Sequence, residues 1–381
     1  MRLLLSAGEV SGDQHGAALL AALKERVPEL EAFGLGGERC RAEGMRLLAH
    51  QKDLAIIGLV EALAKIRFAR RLIHVLTKAA TEARVDAAVL IDSPDFHLPL
   101  ARRLAKAGIP VVFYVSPQVW AWRSGRAKKL ARLGRGILTL FRFEKRWYDA
   151  RGLGERVTWV GHPLVDEAAR ELASPVPAPP EGRRRIVLMP GSRAGEIRKL
   201  LPLLRDAAAI LTARRSDLDV VLVKADSVPE SLLREIAGDA LSRWNVVSGP
   251  HLALLAASDV LVVASGTATV EGLLAGIPMV VVYRVAALSY FLGKILIKVP
   301  NVAMANILSD PGDGSQTVPE LIQKAATPER IAAEVIRFLA EPARAAEARR
   351  RLALGREDLG PPGAPGRTAE AILDLVGRGQ A

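Results

Sequence analysis

The chain has a single cysteine, Cys40, in 381 residues. It cannot build an internal disulfide framework, and this scarcity fits a reducing compartment. Cys40 itself reads as a structural thiol. Aromatic residues make up only 4% of the chain. Few of them besides Trp120, Trp122 and Trp147 lie near the basic stretch described below, and no nucleic-acid motif is present, so nucleic acid is not an expected partner. Long apolar runs are missing as well. The longest uncharged segment, Ala107–Trp122, carries two prolines, Ser116 and Gln118, so no bilayer span is expected. The opening Met1–Glu9 is too short and too quickly followed by acidic and turn residues to read as a signal peptide. The six histidines show no metal-ligand spacing, so no metal is expected. The first loop is not G-x-G-x-x-G, and no cofactor is expected.

Half of the residues are apolar, enough for sizeable cores, and the length suits two domains. The formal net charge is +12, and it is concentrated. From Arg123 to Arg156 Lys and Arg recur every few positions, opposed only by Glu144, Asp149 and Glu155. Such a stretch suits an anionic partner, either a phosphorylated substrate or an anionic lipid surface. A solvated basic helix is the plain alternative.

Apolar runs alternate with amphipathic helical patterns along the chain. Arg2–Ala7, Glu31–Leu35, Asp86–Ile91, Pro110–Val115 and Gly136–Leu140 read as buried strands. Ser174–Gly182 is a proline-rich linker. After it, strands are expected near 185–189, 219–223, 245–247, 260–263 and 279–283. This is an α/β pattern of two Rossmann-like, doubly wound parallel-sheet domains facing across a cleft. The bounds read as 1–173 for the first domain and 183–330 for the second. Helices over 331–381 follow.

Five loci stand out. Arg185–Met189, then Pro190-Gly191-Ser192-Arg193, then an amphipathic helix make a strand–turn–helix start. Unpaired N–H groups and a positive helix end lie there, with a guanidinium added, which suits a diphosphate. Val260–Ala264 leads similarly into Ser265-Gly266-Thr267, whose hydroxyls and N–H groups suit phosphate; Glu271, one turn on, suits the two hydroxyls of a ribose. Together these describe a nucleoside diphosphate on the second domain. In the first domain, Gly8-Glu9-Val10-Ser11-Gly12-Asp13 carries carboxylates that would repel a diphosphate. Gly8, Ser11, Gly12 and Asp13 therefore read as facing a hydroxylated acceptor. His15 beside them reads as structural, with titration near neutrality as the other reading. Asp92 and Asp95 stand at the carboxyl end of a strand, where one of them can act as general base; helix N-capping is the other reading, better suited to Asp95. The fifth locus, Leu54–Lys78, interleaves an apolar helix face with Lys and Arg. It reads as an ordinary amphipathic core helix or as an interfacial one.

Several segments resemble the lipid-A-disaccharide synthase family of GT-B glycosyltransferases. They are Ser6–Asp13, Ile91–Phe96, Tyr114–Trp122, Phe143-Glu144, Gly161-His162-Pro163, Pro190–Arg193, Ala264–Ala268, Asn306–Leu308 and Val318–Leu321. They occur in family order, and Ser116-Pro117-Gln118-Val119-Trp120-Ala121-Trp122 is the most specific. Three positions depart from the pattern: His97 in place of Asn, Arg142 in place of Pro, and Ala305 in place of Pro. The resemblance implies an inverting hexosyltransferase that joins UDP-2,3-diacylglucosamine to 2,3-diacylglucosamine 1-phosphate, releasing UDP and the β-1,6 lipid A disaccharide phosphate. It implies Asp92 as the base on the acceptor 6-hydroxyl, and Arg193, Glu271 and Asn306 around UDP. It implies an enzyme held peripherally on the inner face of the cytoplasmic membrane, with residues 56–76 as membrane contact, and is compatible with a homodimer. By resemblance, too, the 331–381 helices pack back on the first domain. Another GT-B UDP-sugar transferase or a UDP-sugar epimerase, a non-catalytic UDP-binding module on a membrane surface, and a nucleic-acid binder using the basic stretch are the rival readings.

Overall fold

The computed structural model describes residues 1–55, 62–122, 124–176, 178–285 and 300–377. The chain forms two compact units, Met1–Pro163 with Leu359–Ala381, and Leu164–Asp358. Each is built on a parallel sheet.

In the first unit, β1 (Arg2–Ala7), β2 (Glu31–Gly36), β3 (Arg46–His50), β4 (Ala87–Ile91), β5 (Val111–Tyr114), β6 (Gly136–Thr139) and β7 (Val157–Trp159) lie in the order β3-β2-β1-β4-β5-β6-β7. The central strands are near-continuous apolar runs because helices cover both faces. Leu3 and Leu5 of β1 pack on one face with Leu19, Leu20 and Leu23; Leu4 turns to the other, with Leu72, Ile73 and Leu76. This is the period-two alternation of a strand. β3 and β7 were not expected from the sequence. β3 is a half-buried edge and β7 has three residues, so neither presents a strong apolar run.

In the second unit, β8 (Arg184–Met189), β9 (Leu218–Lys224), β10 (Asn245–Ser248), β11 (Val260–Ala264), β12 (Met279–Tyr283) and β13 (Glu320–Ile322) lie in the order β10-β9-β8-β11-β12-β13. All but β13 were expected from the sequence. The strand order reverses between β1 and β4 in the first sheet, and between β8 and β11 in the second. At such a point the two flanking helices leave to opposite faces, and the carboxyl-end loops part to make a crevice.

The units exchange chain at places the sequence did not mark. The helix Leu164–Glu171 belongs to the second unit, because the Glu171 carboxylate accepts from the N–H groups of His251 and Leu252, both at 3.1 Å. The proline-rich Ser174–Gly182 therefore lies inside the second unit and not between the two. At the other end, the helices Pro328–Ala340 and Pro342–Gly355 also lie in the second unit, not the first. Arg349 Nη1 donates to the Gly276 carbonyl at 3.1 Å. Only the helix Ala364–Gly377 returns to the first sheet, where Arg367 Nε donates to the Val160 carbonyl at 2.9 Å. A Cβ at Gly136 would come within 2.4 Å of Leu375, so the bare glycine on β6 is what admits this helix.

Of the interfacial-helix segment, residues 56–61 lie outside the described residues. The described helix, Ala62–Glu82, buries Leu72, Ile73, Leu76 and Ala80 in the core and exposes Ile66 and Val75. No helix among the described residues is long and apolar enough to cross a membrane.

Candidate active site

In the first unit, β1 and β4 run side by side with Ala7 opposite Ile91. The Gly8–Asp13 and Asp92–His97 loops therefore leave the switch point together. A Cβ on Gly8 would stand 2.5 Å from Ser93 Oγ, so glycine is what allows the two loops to touch. Asp92 and Ser93 both hold positive φ, 54° and 43°, a conformation L-residues avoid and functional sites concentrate. Ser93, not Asp92 or Asp95, occupies the N-cap of the helix Pro94–Lys106. Asp92 is half-buried, and its N–H continues the ladder to Tyr114 O at 3.2 Å. Asp95 is exposed and accepts from Arg126 Nη2 at 2.8 Å. Of the two carboxylates, Asp92 is the one held at the strand end.

The buried ring of His97 sits directly behind Asp92. Its Nδ1 lies 2.6 Å from the Asp92 carbonyl oxygen, and its Nε2 lies 2.8 Å from Ser6 Oγ on β1. A carbonyl only accepts, so Nδ1 carries the proton and the Ser6 hydroxyl donates to Nε2. Burial pulls His97 down to about 4, although the Asp92 carbonyl raises it. The ring is neutral at pH 7.

Glu144 entered the sequence reading as part of a motif and as a carboxylate within the basic stretch, not as a site residue. It is buried near the same end of the sheet and accepts from Trp120 Nε1 at 3.1 Å and Phe141 N at 3.3 Å. Burial pushes it up to about 8 against these hydrogen bonds, with the Asp92 charge adding in the same direction. A buried, perturbed acid that feels Asp92 is a functional-site signal. The Ser-Pro-Gln-Val-Trp-Ala-Trp loop is pinned over it. Ser116 Oγ lies 3.0 Å from Tyr148 OH, and the Trp120 ring meets Phe143 edge-on at 4.9 Å.

Other expected acceptor residues are placed differently. Asp13 is buried, and its carboxylate accepts from Gly37 N at 2.6 Å, Arg39 N at 3.1 Å and Cys40 N at 3.2 Å. It caps the start of the helix Glu38–Ala42, so its carboxylate does not face an acceptor. Gly12 packs on Ala7 and Ile91, a helix–sheet contact. Ser11 is half-buried in the first turn of the helix Val10–Arg26. His15 is buried and pulled down to about 4 by burial, so it does not titrate near neutrality.

In the second unit, Met189 of β8 pairs with Val263 of β11, which brings the 190–193 and 265–267 turns together. Gly191 holds φ 107° and Gly266 φ 152°, both regions that favour glycine. Arg193 is the N-cap residue of the helix Ala194–Arg214. Its side chain is 65% exposed, with Nη1 3.2 Å from Glu196 Oε1. A pair with so exposed an arginine is screened by water and worth little. Ser192 is exposed beside it, and Ser265, Gly266 and Thr267 open the helix Thr267–Ala275. Tyr283, at the carboxyl end of β12, was not singled out from the sequence. Burial and Glu196 raise its pKa and Arg193 lowers it, so it shares their neighbourhood.

Glu271 accepts from His251 Nε2 at 3.2 Å. Burial lowers the histidine, but Glu271, the Gly249 carbonyl and Glu171 together push it up to about 9. One oxygen of Glu271 is thus held by an imidazolium, which leaves the other for a ligand hydroxyl. Asn306 departs from expectation. It is fully buried, its Nδ2 donates to Val318 O at 2.9 Å and Glu320 Oε1 at 2.8 Å, and its Oδ1 accepts from Thr317 N and Val318 N, both at 2.9 Å. Both donors and both acceptor sites are used. Asn306 braces the 301–320 segment and has no polar capacity left for UDP.

Two parallel-sheet α/β units, each with its polar loops at the switch point, define the GT-B glycosyltransferase architecture. Among solved structures, the glycotransferase of kitacinnamycin matches with a TM-score of 0.64 at 18% identity, covering 98% of each chain. The UDP-GlcNAc 2-epimerase from Neisseria meningitidis matches with a TM-score of 0.61 at 11% identity, covering 99% of this chain and 100% of that one. These likenesses fix the fold. The family model described as lipid-A-disaccharide synthetase matches residues 3–360. The lipid-A-disaccharide synthase of Syntrophus aciditrophicus (strain SB) is 40% identical over 379 residues, 98% of this chain and 97% of that one. The chain belongs to the lipid-A-disaccharide synthase family of glycosyltransferases.

Proposed function

We propose that the chain transfers a 2,3-diacylglucosamine unit from UDP to the 6-hydroxyl of 2,3-diacylglucosamine 1-phosphate, with inversion. The observation that carries this reading is the division of chemistry between the two switch points. A half-buried carboxylate, Asp92, stands at the first, and an exposed guanidinium with two helix starts stands at the second. Asp92 takes the proton of the acceptor hydroxyl as its oxygen bonds to the donor's anomeric carbon. The bond from that carbon to the UDP oxygen breaks. Arg193 and the helix starts at Ala194 and Thr267 stabilise the negative charge that develops on the diphosphate, each such donor being worth about 3 kcal/mol in the transition state. Gly191, Ser192, Ser265, Gly266 and Thr267 line the diphosphate, and Glu271 takes a ribose hydroxyl. Family membership favours this reading over an epimerase, whose likeness is one of fold alone.

The lipid character of both substrates calls for contact with a membrane surface. Arg102 lies in the helix Pro94–Lys106, and Arg126, Lys129 and Arg132 in the helix Arg126–Leu133. Burial and then the charges of Arg102, Arg126 and Arg132 lower the Lys129 pKa, the mark of a concentrated positive patch. With Ile66 and Val75 exposed on Ala62–Glu82, it suits the anionic inner face of the cytoplasmic membrane.

The test is to incubate the chain with both acylated sugars in detergent and follow UDP and disaccharide by mass, with the new anomeric configuration read by NMR. Disaccharide with a β-linkage is expected. Asp92→Asn should abolish turnover and leave UDP binding nearly unchanged, whereas Arg193→Ala should weaken both. Loss of UDP binding in Asp92→Asn would refute the base assignment, and UDP release with only water-soluble acceptors would refute the substrate class.

A further inference from the structure

The candidate base lies on a strained backbone, and one buried side chain holds that backbone in place. We propose that His97 is a positioning residue that fixes the Asp92 carboxylate by bridging the Asp92 carbonyl to Ser6 across the first unit's switch point. The inference rests on the reading of Asp92 as the base.

Three strands of observation support it. First, Asp92 and Ser93 are consecutive non-glycine residues in the left-handed region. Such a pair persists only where surrounding contacts over-determine it. Second, His97 is fully buried and both ring nitrogens are engaged, one on β1 through Ser6 and one on the end of β4 through the Asp92 carbonyl. The ring thus ties together the two strands that flank the switch point. Third, the ring belongs to the first turns of the helix that Asp92 and Ser93 lead into, and His97 N–H donates to Ser93 O at 2.9 Å. Strand end, strained pair and helix start are held as one piece. His97 touches the Asp92 main chain, so it sets where the carboxylate points and does not itself exchange a proton with substrate.

A misplacement of about 1 Å at a reacting group can lower a rate by about 100-fold. His97→Ala is therefore expected to lower kcat by up to that factor, with KM for both sugars and UDP affinity unchanged. Two further substitutions separate positioning from space-filling. An asparagine amide can place its N–H about where Nδ1 stands and reach the Asp92 carbonyl. A glutamine amide reaches about where Nε2 stands and meets Ser6 instead. His97→Asn should restore most of kcat with the parental pH profile, and His97→Gln should not.

If His97→Ala fails to fold, the Asn and Gln pair decides the matter alone. Equal activity of Asn and Gln variants, failure of Asn to restore kcat, or parental kcat in a folded His97→Ala would overturn the proposal. So would loss of one limb of the pH profile in His97→Asn, which would make the ring a proton carrier. Asp92→Asn is run alongside. An active Asp92→Asn removes the base assignment itself. An inactive Asp92→Asn with indifferent His97 variants removes only the positioning role.

Discussion

Replacing Asn306 by alanine separates two accounts of that residue. If it is a brace, the change strands groups in the protein; if it is a ligand contact, the change costs only UDP affinity. The Asn306 amide makes four hydrogen bonds in a fully buried position. Glu320 would keep its bonds from Val302 N and Ala303 N, and the half-buried Thr317 can turn to water. The N–H and carbonyl of buried Val318 have no such recourse. Each stranded buried group costs about 1–3 kcal/mol, so a local loss of roughly 3 kcal/mol is reasonable once some water enters the new space. The assay is hydrogen exchange of the full chain, read at the Thr317 and Val318 amides that donate to Oδ1. A loss of that size speeds exchange on the order of 100-fold. Unchanged exchange at these amides, together with lost UDP affinity, would refute the brace.

Asp13→Ala removes the cap of Glu38–Ala42 and should lower stability by about 1–2 kcal/mol in thermal unfolding, with KM for the acceptor unchanged. A higher KM at parental stability would return Asp13 to the acceptor site. His251 has a folded-state pKa raised to about 9, above its unfolded value of about 6.5. Its contribution is therefore complete below about pH 6.5 and is lost as pH rises through 9; by linkage it amounts to at most about 3 kcal/mol. His251→Gln should flatten the stability of the second unit across that window, and an unchanged slope in denaturant titrations at pH 6, 7.5 and 9 would count against the ion pair.

The strands that carry the site were legible because their apolar runs are buried on both faces, which leaves a continuous pattern in the sequence. Once β1 and β4, and β8 and β11, were read as strands followed by small-residue turns, the proposed places for a base and a diphosphate followed. Three short strands escaped. β13 begins with Glu320, whose carboxylate is spent on Val302, Ala303 and Asn306 and looks like a loop residue in a linear reading. The chain exchange between units escaped for a different reason. Where Leu164–Glu171 goes depends on a carboxylate meeting N–H groups eighty residues away, and no local pattern carries that. Asn306 shows the limit of resemblance and Asp13 the limit of a linear charge reading: each names a residue without naming the atoms the residue meets. Both are polar residues inside motif segments; Asp13 spends its hydrogen bonds on backbone N–H groups, and Asn306 on backbone groups and the Glu320 carboxylate. Glu144 and His97 show the converse. Their chemistry arises from burial next to Asp92, which only the fold supplies.

Both units open a crevice by the same strand reversal, so topology alone does not say which one takes the diphosphate. Charge does. The first crevice has a helix start at Val10 that would otherwise attract an anion, but Glu9 is its N-cap residue and Asp92 stands on the neighbouring strand end. A diphosphate there would meet like charge, at a cost of about 4 kcal/mol for each pair at 4 Å in an effective dielectric of 20. The second crevice offers Arg193 and two helix starts, and Glu271 there is paired with His251. These charges support the proposed division, with the anionic leaving group on the second unit and the proton acceptor on the first. Exchanging the two roles would place the base beside a guanidinium, which holds a carboxylate ionised and makes it a weaker base.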